Sequence, residues 1–326
     1  MRSTRLAFVV VAAFMLVPAS AMAQGAYPNR VVRVIVPFPA GGATDVFARQ
    51  YAVRMSTLLG QQVIVDNKTG AAGTIGSAEA ARAEPNGYTA LFATASVFAL
   101  YNLMSKKPQF DTLKDLIPIA EVGASPVIFA VHPSVPGDLK AVMAYAKANP
   151  GKLQYASPGT GTYLHLAMEM LKREAGGVDI THIPYRGGAP AIADNVAGQV
   201  PVLVDAVSTS LQHHREGRMR ILAVAMPKRS PLAPDIPTVD EALGSKGFVA
   251  ALWNAVAVPA ATPAEVVDRL HAATAAAMAD KSFTEQLLKM GIEPTLGATP
   301  QSTREFIVKE RARWKPVVEA TGVSSD

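Results

Sequence analysis

Three glycine-rich turns carry the residues best suited to chemistry. The first, Pro37-Phe38-Pro39-Ala40-Gly41-Gly42-Ala43-Thr44-Asp45, sits between a β-branched run and a helical pattern. Paired glycines let the backbone fold tightly and present N–H groups, and a following helix N-terminus adds unpaired donors and partial positive charge. A carboxylate or other small anion is the natural guest, although the same residues also make a plain tight turn. Asp45 is expected to brace the loop rather than touch an anion. The second turn, Ser157-Pro158-Gly159-Thr160-Gly161-Thr162, packs two glycine amides and three hydroxyls into six residues, a dense donor array that reads equally as an N-cap box without a ligand. His165 lies one turn inside the following helix, within reach of the loop, and alone reads as a packed or capping histidine. In the third, Pro184-Tyr185-Arg186-Gly187-Gly188-Ala189, Tyr185 is placed to close over a ligand and Arg186 to fork a carboxylate, or else to decorate a surface turn. Asp205 ends a strand, where it would accept a hydrogen bond from a ligand amine or hydroxyl or brace the facing loop.

Other chemistries find less support. The glycine-rich stretch 66–76 lacks the Gly-Lys-Ser/Thr ending of a P-loop, and no segment completes a G-x-G-x-x-G fingerprint. There is no H-E-x-x-H and no G-x-S-x-G elbow. His213 and His214 are adjacent, so on a helix their rings diverge and do not share a metal. Ser157 with His165 and Asp205 supplies the residue types of a hydrolase triad, and a secreted serine hydrolase using Ser157 and His165 is the alternative reading. The absence of cysteine among 326 residues excludes disulfides, thiolate metal sites and cysteine nucleophiles. A formal charge of +5 is spread singly along the chain, which argues against a nucleic-acid surface.

The elements that must position these turns follow from the hydrophobic pattern. Val31 to Val36 reads as a strand stopped by Pro37. Phe47, Tyr51, Met55 and Leu58 fall at helical spacing, with Thr44 or Asp45 as N-cap and Gly60 past the end. Strands over Val63–Asp66 and Tyr88–Ala93 complete an alternating unit that predicts a mostly parallel α/β sheet. The unit recurs: Val127–Val131, a helix near 138–148, Gln154–Ala156, a helix over about 161–175, Ile180–Ile183, Val200–Asp205 and Met219–Ala225. From Thr262 onward the chain reads as mostly helical, with Thr262 as N-cap and Pro263 at the first helical position.

The first residues read as an address. Arg2 and Arg5, the apolar run Leu6–Val17 and Ala21-Met22-Ala23 make a secretory signal peptide over 1–23, cut after Ala23. The run is short of the ~20 apolar residues needed to span a bilayer. Cleavage lowers the formal charge from +5 to +3 and leaves an exported chain suited to a bacterial periplasm.

Taken in order, Tyr27-Pro28, Val36-Pro37-Phe38 with Gly41-Gly42-x-x-Asp45, Val65-x-Asn67 with Gly70-Ala71-x-Gly73, and Gly87-Tyr88-Thr89 form a series. It continues with Ala148 to Lys152, Ser157-Pro158-Gly159 with His165-Leu166-Ala167, Pro184-Tyr185-x-Gly187, Arg229-Ser230 and Pro237-Thr238-x-x-Glu241. The series resembles the Bug family of periplasmic solute receptors, the extracytoplasmic subunits of tripartite tricarboxylate transporters. Asn86, Arg186 and Lys68-Thr69 depart from the usual pattern. The resemblance implies a two-lobed, type II-like periplasmic-binding-protein fold, one lobe over 27–125 and 253–326, the other over 126–252. It implies an interlobe cleft holding a small carboxylate between Phe38, Gly41, Gly42, Ala43, Thr44 and Asp45 on one jaw and Ser157, Gly159, Thr160, Gly161 and Thr162 on the other, with Tyr185 and Asp205 at the margin. It further implies partnership with the membrane subunits of such a transporter or with a sensor. A monomer without cofactor, metal or catalytic residue is expected.

Overall fold

The computed structural model describes residues 27–324; the signal-peptide segment lies outside the described residues. Among the described residues, ten strands and the helices between them form two mixed sheets joined through one long strand. In the first sheet β1 (Val32–Val36) is flanked by β2 (Val63–Asn67) and β3 (Thr89–Thr94), both parallel to it. Next come β9 (Ala251–Pro259), antiparallel to β3, and then the first part of β4 (Leu116–Val131), edged by the short β10 (Glu293–Pro294). In the second sheet β5 (Gln154–Ser157) pairs in parallel with β6 (Thr181–Pro184) and β7 (Val202–Ala206); β7 and β8 (Arg220–Val224) flank the last part of β4, antiparallel to it. The orders β2-β1-β3-β9-β4 and β6-β5-β7-β4-β8 repeat one plan, in which the penultimate strand runs against the rest. The result is an α/β fold of two lobes.

The switch between sheets is a property of β4. Residues up to Pro126 pair with β9, and from Val127 the strand pairs with β7 instead. Pro126 has no N–H to give to a ladder, so it is suited to the point where pairing partners change. Gly123, at φ +150°, stands where β10 crosses; a Cβ there would lie 2.6 Å from the Glu293 carbonyl.

Local chemistry explains most elements. β1 is β-branched except for Arg33, and its valines and isoleucine are buried. α1 (Ala43–Leu59) buries Phe47, Ala48, Tyr51, Ala52 and Met55 against that sheet and ends at left-handed Gly60. Its N-cap is Gly42, without a side-chain cap; Thr44 and Asp45 fall inside the helix, contrary to the sequence expectation. Likewise the N-cap of α9 (Ala264–Ala279) is Pro263, and Thr262 instead donates its hydroxyl to the Pro259 carbonyl. α2 (Thr74–Ala81) returns the chain to β3, whose end runs into a π-helical turn over Ser96–Leu100 and a short α3 (Tyr101–Met104). In the second lobe α4 (Leu139–Ala148), α5 (Tyr163–Glu174), α6 (Gly188–Val196), α7 (Val207–Arg215) and α8 (Val239–Leu243) surround the sheet. After α10 (Lys281–Lys289), α11 (Pro300–Thr321) carries Trp314 onto Tyr163 of α5, ring centroids 4.6 Å apart, so the last helix packs against an element that follows β5. No helix among the described residues is long and apolar enough to cross a membrane.

Candidate functional site

The turns at 37–45 and 157–162 face each other. A Cβ on Gly187 would meet the Pro39 ring at 2.7 Å, and one on Gly41 would meet Ala189 at 3.7 Å, so the jaws are nearly in contact. Between them lies an inner chamber of about 40 Å³, lined by Phe38, Gly42, Ala43 and Thr44 from one lobe and Thr162, Gly188 and Asp205 from the other. It opens beside an outer cleft of about 390 Å³, which Phe38, Gly159, Thr160, Thr162 and Tyr185 share with the 69–73 loop and Arg186. The outer volume falls in the ~300–1,000 Å³ range of small-molecule pockets. The inner one suits a group of carboxylate size.

Gly41, Asp45, Ser157 and Gly161 line neither chamber, because the loops spend these residues on themselves. Asp45 accepts the Gly41 amide at 2.9 Å, the Arg49 Nε–H at 3.0 Å and the Asn67 amide at 2.9 Å. Burial works against its charge, but the bonds from Arg49, Gly41 and Asn67 hold the carboxyl below its ordinary value. Asn67 also donates to the Phe38 carbonyl at 2.9 Å, which ties the loop to β2. Asp45 is thus a brace, as its position implied.

The second jaw is built the same way. Gly159 N–H donates to Ser157 Oγ at 3.1 Å, the Thr162 hydroxyl donates to the Gly159 carbonyl at 2.8 Å, and Gly161 N–H donates to His165 Nδ1 at 3.1 Å. Ser157 is wholly buried and its Oγ lies 2.7 Å from His182 Nε2. The hydrolase pairing of Ser157 with His165 is therefore not formed, since His165 holds the loop backbone instead.

What remains free are helix-start amides. Among the described residues, Ala43 and Thr44 N–H, at the beginning of α1, have no hydrogen-bond acceptor, and Leu164 N–H of α5 is in the same condition. The start of α6 joins them: a Cβ on Gly188 would lie 4.0 Å from Gly42 Cα and 3.6 Å from Asp205 Oδ1. Three positive helix ends thus converge on one chamber.

Asp205, at the end of β7, is buried beneath them. The Thr209 and Ser210 hydroxyls both donate to its Oδ2 at 2.6 Å, which leaves Oδ1 on the chamber side. Burial pushes this carboxyl up to about 6, against the pull of Ser210, Thr209 and the Ala206 amide. Among the described residues it is the one ionisable group on the inner chamber, and Arg186 is the one cation on the outer cleft. Tyr185 donates its hydroxyl to Asp194 at 2.6 Å while lining the outer cleft.

Seven inner-chamber residues were not among the expected binding residues: Pro39, Pro158 and Gly188, which lie in the three turns, and Thr94, Ser96, Leu164 and Leu252, which do not. Thr94 and Ser96 stand at the C-terminal end of a parallel strand, the place where open α/β sheets gather ligands, and that was the available signal. Leu252 came with a strand, β9, that the sequence reading did not draw.

Comparison with known proteins identifies the family and the fold. Residues 47–323 match the tripartite tricarboxylate transporter family receptor, TctC. The solved periplasmic binding protein BugD is 35% identical, with a TM-score of 0.87 over 91% of this chain and 99% of its own. Rpa4515 of R. palustris, solved with adipate, is 33% identical with a TM-score of 0.87, over 91% of this chain and 99% of its own. MatC of Rhodopseudomonas palustris, solved with bound malate, is 30% identical with a TM-score of 0.84, over 90% and 100%. The shared family is one of solute receptors rather than enzymes, and the chain belongs to it: it is a member of the tripartite tricarboxylate transporter receptor family.

Proposed function

We propose that this protein is an extracytoplasmic receptor that closes on a small carboxylate and delivers it to the membrane subunits of a tripartite tricarboxylate transporter or to a sensor. The observation that carries the reading is the convergence of the α1, α5 and α6 N-termini, drawn from both lobes, on a chamber without a cation. Each helix end contributes about 0.3–2 kcal/mol toward an anion. With several hydrogen bonds this supports micromolar capture, about −8 kcal/mol. Walls free of buried Lys or Arg also permit release. The carboxylate head belongs in the inner chamber and the rest of the ligand in the outer cleft, as adipate bound to Rpa4515 and malate bound to MatC make reasonable.

In this reading the lobes are 27–125 with 253–326 and 126–252, and closure is a hinge about the β4 and β9 crossovers. The binding residues are Phe38, Gly41 to Asp45, Ser157, Gly159 to Thr162, Tyr185 and Asp205, with Gly41, Asp45, Ser157 and Gly161 acting as braces. Export to the periplasm after cleavage at Ala23 puts the receptor where its partners are.

A thermal-shift screen of small carboxylates, adipate and malate included, tests the reading. A ligand that binds only the native state at a hundred times its Kd stabilises by about 2.7 kcal/mol and raises the melting point. No response to any carboxylate, or ester turnover abolished by Ser157→Ala, would overturn it. Uptake into vesicles carrying the membrane subunits, dependent on added receptor, separates transport from sensing.

A further inference from the structure

Behind the second jaw a stack of rings stands between the loop and the body of the lobe. Tyr155 of β5, His182 of β6 and His165 of α5 lie nearly parallel: His165 and His182 centroids are 4.1 Å apart at 11°, and Tyr155 and His182 are 4.8 Å apart at 17°. His165 is 5% exposed. Its Nδ1 accepts the Gly161 amide, and its Nε2 is 3.9 Å from Glu169 Oε1. Glu169 also accepts the Tyr155 hydroxyl at 2.6 Å and the Lys172 ammonium at 2.9 Å, so the groups facing His165 are Glu169 and Lys172 on its own helix, His182 and Tyr155 from the sheet.

An amide N–H can only donate. His165 Nδ1 must therefore offer a bare lone pair, and the ring proton sits on Nε2 toward Glu169. A second proton, at Nδ1, would point two donors at each other across 3.1 Å. That bond could not survive. Gly161 is followed at once by Thr162, whose Oγ1 accepts the His165 amide at 3.3 Å as the cap of α5, so displacing Gly161 displaces the helix start that faces the chamber.

We propose that His165 is a positioning residue of the receptor site: its unprotonated Nδ1 fixes the Gly161 amide, and with it the 157–162 loop and the α5 N-terminus, so that acid releases the jaw. Burial, first, and then Lys172 hold the imidazole below its ordinary value against the pull of Glu169, which keeps the jaw set at neutral pH. The fully charged state of both stacked rings is opposed further because His182 is itself pushed down, to about 4, by burial and then by His165. The inference rests on the carboxylate-receptor reading for its functional consequence, but the His165–Gly161 contact is testable without any ligand.

The test compares wild type, His165→Asn and His165→Leu. Asparagine places its Oδ1 where Nδ1 stood and accepts the amide without titrating; leucine cannot accept. In the ligand-free protein, NMR should find the Nε2–H tautomer of His165 and a Gly161 amide protected from exchange at pH 7. Protection should fall together with the protonation of the His165 ring, persist across the acid range in His165→Asn, and be lost throughout in His165→Leu. Adipate titrations should follow: His165→Leu about tenfold weaker at pH 7, the size of one buried hydrogen bond, and His165→Asn close to wild type with its acid loss reduced. An Nδ1–H tautomer, or a Gly161 amide that stays protected while His165 titrates, overturns the proposal, and folded His165→Asn settles the matter even if His165→Leu does not fold. Failure of wild type to bind adipate, malate or any other carboxylate of the thermal-shift screen counts against the site reading and leaves the exchange result to decide the role of His165.

Discussion

Ser96 Oγ accepts the Tyr163 amide at 2.9 Å, joining the end of β3 in one lobe to the first residue of α5 in the other. Ser96 is 3% exposed and also lines the inner chamber, so this bond is made where the two lobes meet around the site. It satisfies one of the four orphan amides of α5 with a hydroxyl from across the cleft. Opening the lobes would break it.

Removing the hydroxyl should therefore favour the open form. For Ser96→Ala the expected loss is about 1 kcal/mol, a roughly fivefold weaker Kd for a bound carboxylate. Small-angle scattering of the ligand-free protein should show a larger radius of gyration. Unchanged affinity and radius would mean that the bond does not hold the lobes together.

Gly42 tests the chamber itself. Its φ of −79° is open to any residue, and an added Cβ meets only the Pro39 carbonyl at 3.5 Å, so Gly42→Val should fold with a melting point near wild type. The valine side chain, however, would occupy space beside the small chamber that Gly42 lines together with Gly188 and Thr162. Binding should weaken about a hundredfold, from overpacking a chamber of this size. Calorimetry that finds wild-type affinity would place the ligand elsewhere.

Asp205 makes stability and binding depend on pH in a stated direction. Its carboxyl rises from an ordinary value of 3.8 to about 6 in the folded protein, so the native state holds the proton more tightly. The corresponding stability is fully present below 3.8 and lost as pH rises through about 6, in all about 3 kcal/mol. Asp205→Asn should remove this slope in urea titrations between pH 4 and 8. A carboxylate without an amine should also bind wild type less well above pH 6, where Oδ1 is charged, and the variant should lose that dependence. A slope that survives in the variant would assign the titration to another group.

Glu310 holds both tryptophans of the chain: its Oε2 accepts Trp253 Nε1–H at 3.1 Å and Trp314 Nε1–H at 3.2 Å, and its Oε1 accepts Arg313 at 2.9 Å. Glu310→Leu would strand two buried indole donors and remove one partner of the exposed Arg313, which keeps its bond to the Val249 carbonyl. The expected cost is about 2–5 kcal/mol, read from the denaturation midpoint, with a shift in tryptophan emission. Glu310→Gln, which keeps one acceptor oxygen, should lose less. Equal stability of Glu310→Leu and wild type would rule out the role.

The alternating strand and helix pattern, the three glycine turns and the order of their motifs were readable in the residues, because hydrophobic period and turn chemistry are local. Thus β1, α1 and the loop between them stood almost complete in one stretch of chain, and the brace role of Asp45 followed from its negative charge in a loop suited to an anion. The extent of β4 did not: strands predicted as Val127–Val131 proved to be the end of a 16-residue strand whose first part, Leu116–Pro126, pairs with β9. That pairing depends on a partner more than 120 positions away, and no local period reports it. The π-helical turn at Ser96 is likewise a tertiary outcome, set by where β3 ends against the second lobe.

The site divides along the same line. Residue types alone determined that glycines and helix starts would offer donors to an anion. Only the folded chain decided which donors are free, because a loop amide is available to a ligand only if no nearby side chain takes it first. Gly41, Gly159 and Gly161 lost theirs to Asp45, Ser157 and His165, whereas Ala43, Thr44 and Leu164 kept theirs. Hydrogen bonds are short-ranged and directional, so that allocation follows from distances of about 3 Å that the order of residues does not specify.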